Sequence, residues 1–367
     1  MKRFASLLLF FAVFLYNGCA FADAASAVVM EESTGRILYA SNPEERLPMA
    51  STTKIMTALI ALENSALDAP VTAGENAFGV SGTSIYLEKG ETLSMEQMLY
   101  GLMLVSGNDA AVAIAEHVGG SVDGFCALMN DRASQLGCVN THYTTPHGLP
   151  ASDHYTTALD LCRIAREAMR NPTFRTIVST QRATIPWQNH AYDRVLMNKN
   201  KLLSTYDGAI GIKTGYTKAA GRCLVFAAER GGMTVLGAVL NCPDWFDQSA
   251  ALLDRAFEQY HLYTALRQGE IVYRLPVEGG TADGVDLIAS GALTAPLSAD
   301  ETAEIGFRWP QSQRAGFQAG ERLGEAFLTV NGETLASVPL VAAESVPDNS
   351  FLFRLRRTGE NWLFLEN

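Results

Sequence analysis

Apolar residues recur along this chain in two rhythms, and the order in which the rhythms alternate predicts the architecture. Residues 27–31 and 36–41 are short apolar runs around Ser33-Thr34-Gly35, which reads as a β-hairpin. The spacing then turns helical. Ser51 opens a helix, and Met95, Met98, Leu99, Leu102 and Met103 follow the i, i+3, i+4, i+7, i+8 rule of a core-facing helix. Leu161, Ile164, Ala165 and Ala168 follow part of the same rule, as do Leu253, Ala256, Phe257 and Tyr260. Between these last two helices lie three predicted strands, residues 209–215, 223–230 and 233–241, the second pair joined tightly at Gly231-Gly232. Strands, then many helices, then strands and a helix predict an α+β fold: one antiparallel sheet with helices packed on it.

Past about Arg267 the rhythm is that of strands, over residues 271–277, 285–290 and 326–340. The last of these folds back at Asn331-Gly332, a dipeptide suited to a type I′ turn. A catalytic domain over residues 23–266 is therefore expected to precede a small all-β domain over residues 267–367, which has no pattern of catalytic residues. With 367 residues, of which 48% are hydrophobic and 18% charged, the chain can bury two cores.

The first residues carry a different signal. Met1-Lys2-Arg3, an apolar run over residues 7–16 and small residues ending in Ala20-Phe21-Ala22 predict a secretory signal peptide, residues 1–22. The apolar run is short for a bilayer span, and Tyr16-Asn17-Gly18 is a poor lead-in to a lipid-modified Cys19. The net charge is −11, and loss of Lys2 and Arg3 with the leader makes the remainder more acidic, which argues against nucleic acid or an anionic membrane surface as partner. The five cysteines beyond the leader are an odd number and form no CxxC, so buried thiols are expected; Cys223 and Cys242, both near a hairpin, are the one pair to check.

Three short strings bear on chemistry: Ser51-Thr52-Thr53-Lys54, Ser106-Gly107-Asn108 and Lys213-Thr214-Gly215. A serine and a lysine three positions apart on a helix share one face. The lysine amine can then take the hydroxyl proton, provided that it is neutral. Burial among Ile55, Met56 and Leu59, with Lys213 as a second cation nearby, would lower its pKa. Ser51 at a helix start also offers its backbone N–H to a developing oxyanion. Taken singly, each string also reads as a helix cap or a strand end. All three occur once, in order, and on the elements that an acylating serine site requires.

With these strings in their wider context, Pro48-Met49-Ala50 before Ser51, Asp109-Ala110-Ala111 after Asn108, Pro146-His147-Gly148-Leu149 and Gly211-Ile212 through Tyr216-Thr217, the chain resembles the serine-type D-alanyl-D-alanine carboxypeptidases, the low-molecular-mass penicillin-binding proteins. The likeness covers roughly residues 25–265, and the β-rich tail resembles the family's carboxy-terminal domain. It implies a β-lactamase/transpeptidase-like first domain. It also implies that Ser51 forms an acyl-enzyme with the penultimate D-alanine of a peptidoglycan stem peptide, with Lys54 as base. Ser106 would pass a proton to the leaving amine and Asn108 would hold substrate and lysine. Lys213 and Thr214 would receive the terminal carboxylate, Gly215 would let the substrate lie close, and the N–H groups of Ser51 and Tyr216 would form the oxyanion hole. β-Lactams would acylate Ser51 and remain. No cofactor or metal is implied.

Two departures from the family stand out. Members commonly carry a basic residue between the last strand and the final helix; residues 243–253 contain none, and Arg222 is the candidate substitute. Members also tend to end in an amphipathic anchoring helix, whereas residues 351–367 are a short mixed stretch broken by Thr358-Gly359, which leaves membrane association open. His142, His147 and His154 cluster in sequence but match no metal-ligand spacing. Glu167, four before Asn171, loosely resembles the deacylating glutamate of class A β-lactamases, yet its helical spacing reads as an exposed carboxylate. Two alternatives accompany the carboxypeptidase: a penicillin-binding sensor or scaffold that acylates without turnover, and a DD-endopeptidase.

Overall fold

The computed structural model describes residues 24–349. The expected leader and the carboxy-terminal stretch 351–367 lie outside the described residues. β1 (Ser26–Glu31) and β2 (Ile37–Ser41) form the predicted hairpin. A 3₁₀ turn, Ala50–Thr53, runs into α1 (Lys54–Asn64), so Ser51 sits in the turn that precedes the helix proper. The small hairpin β3 (Pro70–Thr72) and β4 (Thr92–Ser94) precedes α2 (Met95–Met103), which opens on a capping box between Ser94 and Gln97. Then come α3 (Asn108–Gly119), α4 (Val122–Gln135), α5 (Ala158–Met169) and α6 (Pro172–Ser179). A second small hairpin, β5 (Arg182–Ile185) and β6 (Arg194–Met197), leads through α7 (Leu202–Thr205) to β7 (Ala209–Thr217), β8 (Gly221–Arg230) and β9 (Met233–Leu240), followed by α8 (Trp245–Gln259).

The main sheet is antiparallel with strand order β2-β1-β9-β8-β7. Every residue of β1 and β9 is buried, because helices cover both faces. On β8 the alternation is plain: Cys223, Val225 and Ala227 enter the core made with α1, α2, α3 and α5, while Leu224, Phe226 and Ala228 pack with Leu252, Leu253 and Ala256 of α8. β7 is an edge strand, and among the described residues no strand pairs with its outer side. Gly231 and Gly232 take φ of 57° and 80°, and Asn331 and Gly332 take 52° and 82°, the positive pair a type I′ hairpin turn demands.

α8 stops at Gln259, and Tyr260 begins β10 (Tyr260–Leu266) instead of closing the helical face. β11 (Ile271–Glu278), β12 (Gly284–Ala289), β13 (Leu293–Ser298), β14 (Ala303–Arg308), β15 (Gln313–Arg314), β16 (Arg322–Val330) and β17 (Glu333–Ala342) follow. β10 pairs with β13, and the others form a six-stranded sheet around a separate core that includes Leu275, Leu287, Leu328 and Leu340. Arg36 of the first hairpin's return crosses to this domain, donating to the Pro296 carbonyl at 2.5 Å and gripping both oxygens of Glu301. The five described cysteines are free and buried. Cys223 and Cys242 serve cores on opposite faces of the sheet, which accounts for their not pairing. No helix of the described residues is long and apolar enough to cross a bilayer.

Candidate active site

The first two motifs meet at one nitrogen. Lys54 Nζ lies 3.1 Å from Ser51 Oγ, 2.7 Å from Asn108 Oδ1 and 2.8 Å from the His147 carbonyl, and Lys54 is fully buried. Asn108 is held with its oxygen toward the lysine because its amide nitrogen donates to the Ser81 carbonyl at 2.7 Å. The amide oxygen and the carbonyl can only accept. A neutral amine offers two hydrogens and one lone pair, so it satisfies both and keeps the lone pair for the Ser51 hydroxyl proton. The electrostatics agree with that state: burial first, then the charges of Lys213 and Lys199, push the Lys54 amine well below the usual lysine range, against a smaller pull from Asp109.

Ser106 precedes α3 in a left-handed conformation, φ 70°, which is uncommon for a residue with a side chain and is typical of functional turns. Its hydroxyl is buried and has no hydrogen-bond partner among the described residues. Lys213 on β7 is 1% exposed and donates to the Thr214 carbonyl at 3.0 Å; burial and then Lys199 bring its amine down to about 7. Gly215 lies directly against the nucleophile turn: a Cβ there would stand 3.0 Å from Ser51 N and 3.1 Å from Met49 O. Tyr216 follows, 62% exposed. Arg222, its cross-strand partner, stands apart from the lysines, on the α8 face with Leu224 and Phe226, its guanidinium donating to the Pro243 carbonyl at 2.5 Å.

Several contributors lie outside the three short strings. Lys199, just after β6, donates to Thr83 Oγ1 at 3.3 Å and acts electrostatically on both site lysines. Asp109, 1% exposed, binds Ser84 Oγ at 2.6 Å and the N–H groups of Ile85 and Leu87 at 3.0 and 2.9 Å, which fastens the loop whose Ser81 orients Asn108. The far side of that loop is held by a buried ion pair, Arg194 to Glu91 at 2.5 Å, and by Arg194 to the Tyr86 carbonyl at 3.0 Å. The three histidines that cluster around Pro146-His147-Gly148 serve separate partners: His142 meets Asp153, His147 lends its carbonyl to Lys54, and His154 meets Thr53. Glu167 is on α5 as expected, but its carboxylate is paired with Arg132 at 2.8 Å and Arg170 at 3.1 Å instead of lying free; Asn171 caps α6.

A serine beside a sheet edge, a buried lysine within hydrogen-bond reach of its hydroxyl and a second buried lysine on the edge strand are the arrangement of a serine-type hydrolase. A family model described as D-alanyl-D-alanine carboxypeptidase matches residues 19–244, and one for the carboxy-terminal domain of penicillin-binding protein 5 matches residues 257–348. The chain belongs to the D-alanyl-D-alanine carboxypeptidase family of low-molecular-mass penicillin-binding proteins. It is 33% identical over 353 residues to the D-alanyl-D-alanine carboxypeptidase DacF of Bacillus subtilis, covering 93% of this chain and 90% of that protein. Among solved structures it is similar to penicillin-binding protein 5 of Haemophilus influenzae, with a TM-score of 0.72 and 27% identity over 89% of this chain and 98% of that one. The Streptomyces K15 DD-transpeptidase matches with a TM-score of 0.61 and 38% identity over 64% of this chain and 97% of that one.

Proposed function

We propose that this protein removes the terminal D-alanine from peptidoglycan stem pentapeptides outside the cytoplasm, and that it is exported by the leader of residues 1–22. The observation that carries this reading is the coordination of Lys54 Nζ, two obligate acceptors plus the Ser51 hydroxyl in a buried setting. The Ser51 proton passes to Lys54 as Oγ attacks the carbonyl carbon of the penultimate D-alanine. The N–H groups of Ser51 and Tyr216 stabilise the oxyanion. Ser106 hands its proton to the departing amine of D-alanine and takes in its place the one Lys54 gained from Ser51, which leaves Lys54 neutral again while Asn108 keeps it in place. Water then attacks the ester, and the proton path runs in reverse.

An extended peptide fits the unpaired side of β7 as an added strand. Its terminal carboxylate meets Lys213 and Thr214, and Gly215 permits the close approach. A β-lactam acylates Ser51 but keeps its amine tethered, so water finds no room. All of this chemistry belongs to the domain of residues 23–266, with the β-rich domain 267–367 as its support. The cellular role that follows is trimming of wall peptides and, through cross-link density, cell shape. A sensor without turnover is not favoured, because the relative that aligns over 93% of the chain is named a carboxypeptidase.

The test is residues 23–367 incubated with a stem pentapeptide, products being read by mass spectrometry. Release of one D-alanine, lost in Ser51→Ala together with the covalent penicillin mass, is expected. An acyl-enzyme without product would indicate the sensor, cleavage of cross-linked dimers the endopeptidase, and transfer to an added amine the reaction for which the Streptomyces K15 enzyme is named.

A further inference from the structure

His154 belongs to none of the three motifs, yet it is 5% exposed and touches the turn that carries the nucleophile. Its ring nitrogens have fixed roles. Nδ1 accepts from the Thr144 N–H at 3.1 Å and so carries no hydrogen. The hydrogen of the neutral ring is therefore on Nε2, which donates to Thr53 Oγ1 at 2.8 Å. Thr53 Oγ1 in turn donates to the Ala50 carbonyl at 2.8 Å. The opposite polarity would need a ring accepting at both nitrogens, an imidazolate. Burial, which brings His154 down to about 4, keeps the ring neutral.

The Ala50 carbonyl is fixed from a second side. Gly148, with φ of 83°, presses against it so closely that a Cβ there would fall 1.9 Å from the oxygen. Ala50 itself is left-handed, φ 48°. Its C=O and the N–H of Ser51 are opposite ends of one rigid peptide plane, so whatever holds the first aims the second. That N–H faces the strand of Gly215, whose absent Cβ would stand 3.0 Å from Ser51 N.

We propose that His154 is a positioning residue that aims the oxyanion donor of Ser51, acting through the Thr53 hydroxyl and the Ala50–Ser51 peptide plane. This inference rests on the reading of Ser51 as the acylated nucleophile. It assigns His154 to the oxyanion side of the site, and Asn108 and the His147 carbonyl to the base side.

The experiment measures acylation of the full mature chain by benzylpenicillin, resolving the non-covalent dissociation constant from the acylation rate constant, with the thermal midpoint recorded for every variant. Thr53→Val, which removes the hydroxyl at nearly constant volume, should lower the rate constant about tenfold or more and leave the dissociation constant unchanged. Thr53→Ser should restore the rate, and His154→Gln, whose amide nitrogen keeps a donor near Nε2, should retain far more of it than His154→Phe. A merely structural contact would lower the thermal midpoint and leave the rate constant of the folded fraction intact. That result overturns the proposal, as does an effect confined to the dissociation constant. If Thr53→Val does not fold, the His154 pair decides, and equal rates in the phenylalanine and glutamine variants overturn it. A wild-type chain that takes up no penicillin at Ser51 is a different failure, that of the functional reading itself.

Discussion

Lys213 gives the sharpest prediction, because two neighbouring lysines must do opposite things. In the proposed mechanism Lys54 works as a base only when uncharged, whereas Lys213 receives a carboxylate only when charged. Burial first, then the charge of Lys199, lower the Lys213 amine from 10.5 to about 7 in the free enzyme. A lysine sheds its proton as pH rises, so the receiving cation is present below about 7 and lost above it, at roughly tenfold per pH unit. The ratio kcat/KM reports the free enzyme, and with a substrate ending in a free carboxylate it should fall about tenfold per unit on the alkaline side. In the complex the carboxylate holds the proton on Lys213, so kcat should keep its plateau to distinctly higher pH. A penultimate-ester substrate with an amide-capped end should show no such limb. Lys213→Arg replaces the amine by a guanidinium that stays charged, so its alkaline limb should vanish even if the absolute rate is lower. The assay is D-alanine release from a short D-Ala-D-Ala peptide between about pH 6 and 10. A wild-type kcat/KM that is level from pH 7 to 9.5, or a limb that persists unchanged in Lys213→Arg, would refute the assignment.

Two further outcomes concern the scaffold. Glu91→Gln leaves the Arg194 guanidinium buried, its side chain only 4% exposed, without its counter-ion, and should cost about 3–5 kcal/mol in urea unfolding; a loss under about 1 kcal/mol would contradict the buried pair. His147 and His154 are lowered by burial to about 4 from 6.5, so the unfolded chain binds their protons more readily than the folded one. The stability they confer is fully present above about 6.5 and disappears as pH falls toward 4, by about 3 kcal/mol per histidine at most. Thermal midpoints should drop over that window, less steeply in His154→Gln, and a flat profile would show that the two rings are not held neutral.

Much of this molecule could be read from local pattern. The helical faces of α2 and α5 have regular apolar spacing, and the Gly-Gly and Asn-Gly turns demand positive φ that few other residues supply. The motif residues were legible because their chemistry depends on short spacing. What escaped depends on distance. Nothing local says that Ala27 pairs with Val239, or that Glu167 finds Arg132 across two helices. α3 is apolar nearly all round, and β3 to β6 are three or four residues long, too short to set up a rhythm. Tyr260 continues the α8 spacing and is nevertheless extended, because pairing with Ser298 of β13 outweighs propensity. Lys199 and His154 are single residues whose work is defined by what the fold brings to them. Arg222 shows the remaining ambiguity: alternation along β8 divides its residues into two sets, but only packing says which set faces the lysines.

The open margin of β7 has a consequence for what the enzyme can tell apart. Main-chain pairing is blind to side chains, so under the proposed docking a peptide gripped along that margin would be admitted whatever its third residue or bridge happens to be. Discrimination then falls to the end of the guest, where a free acid must find an ammonium in a dry recess. A device of that kind would count residues from a terminus instead of spelling a sequence.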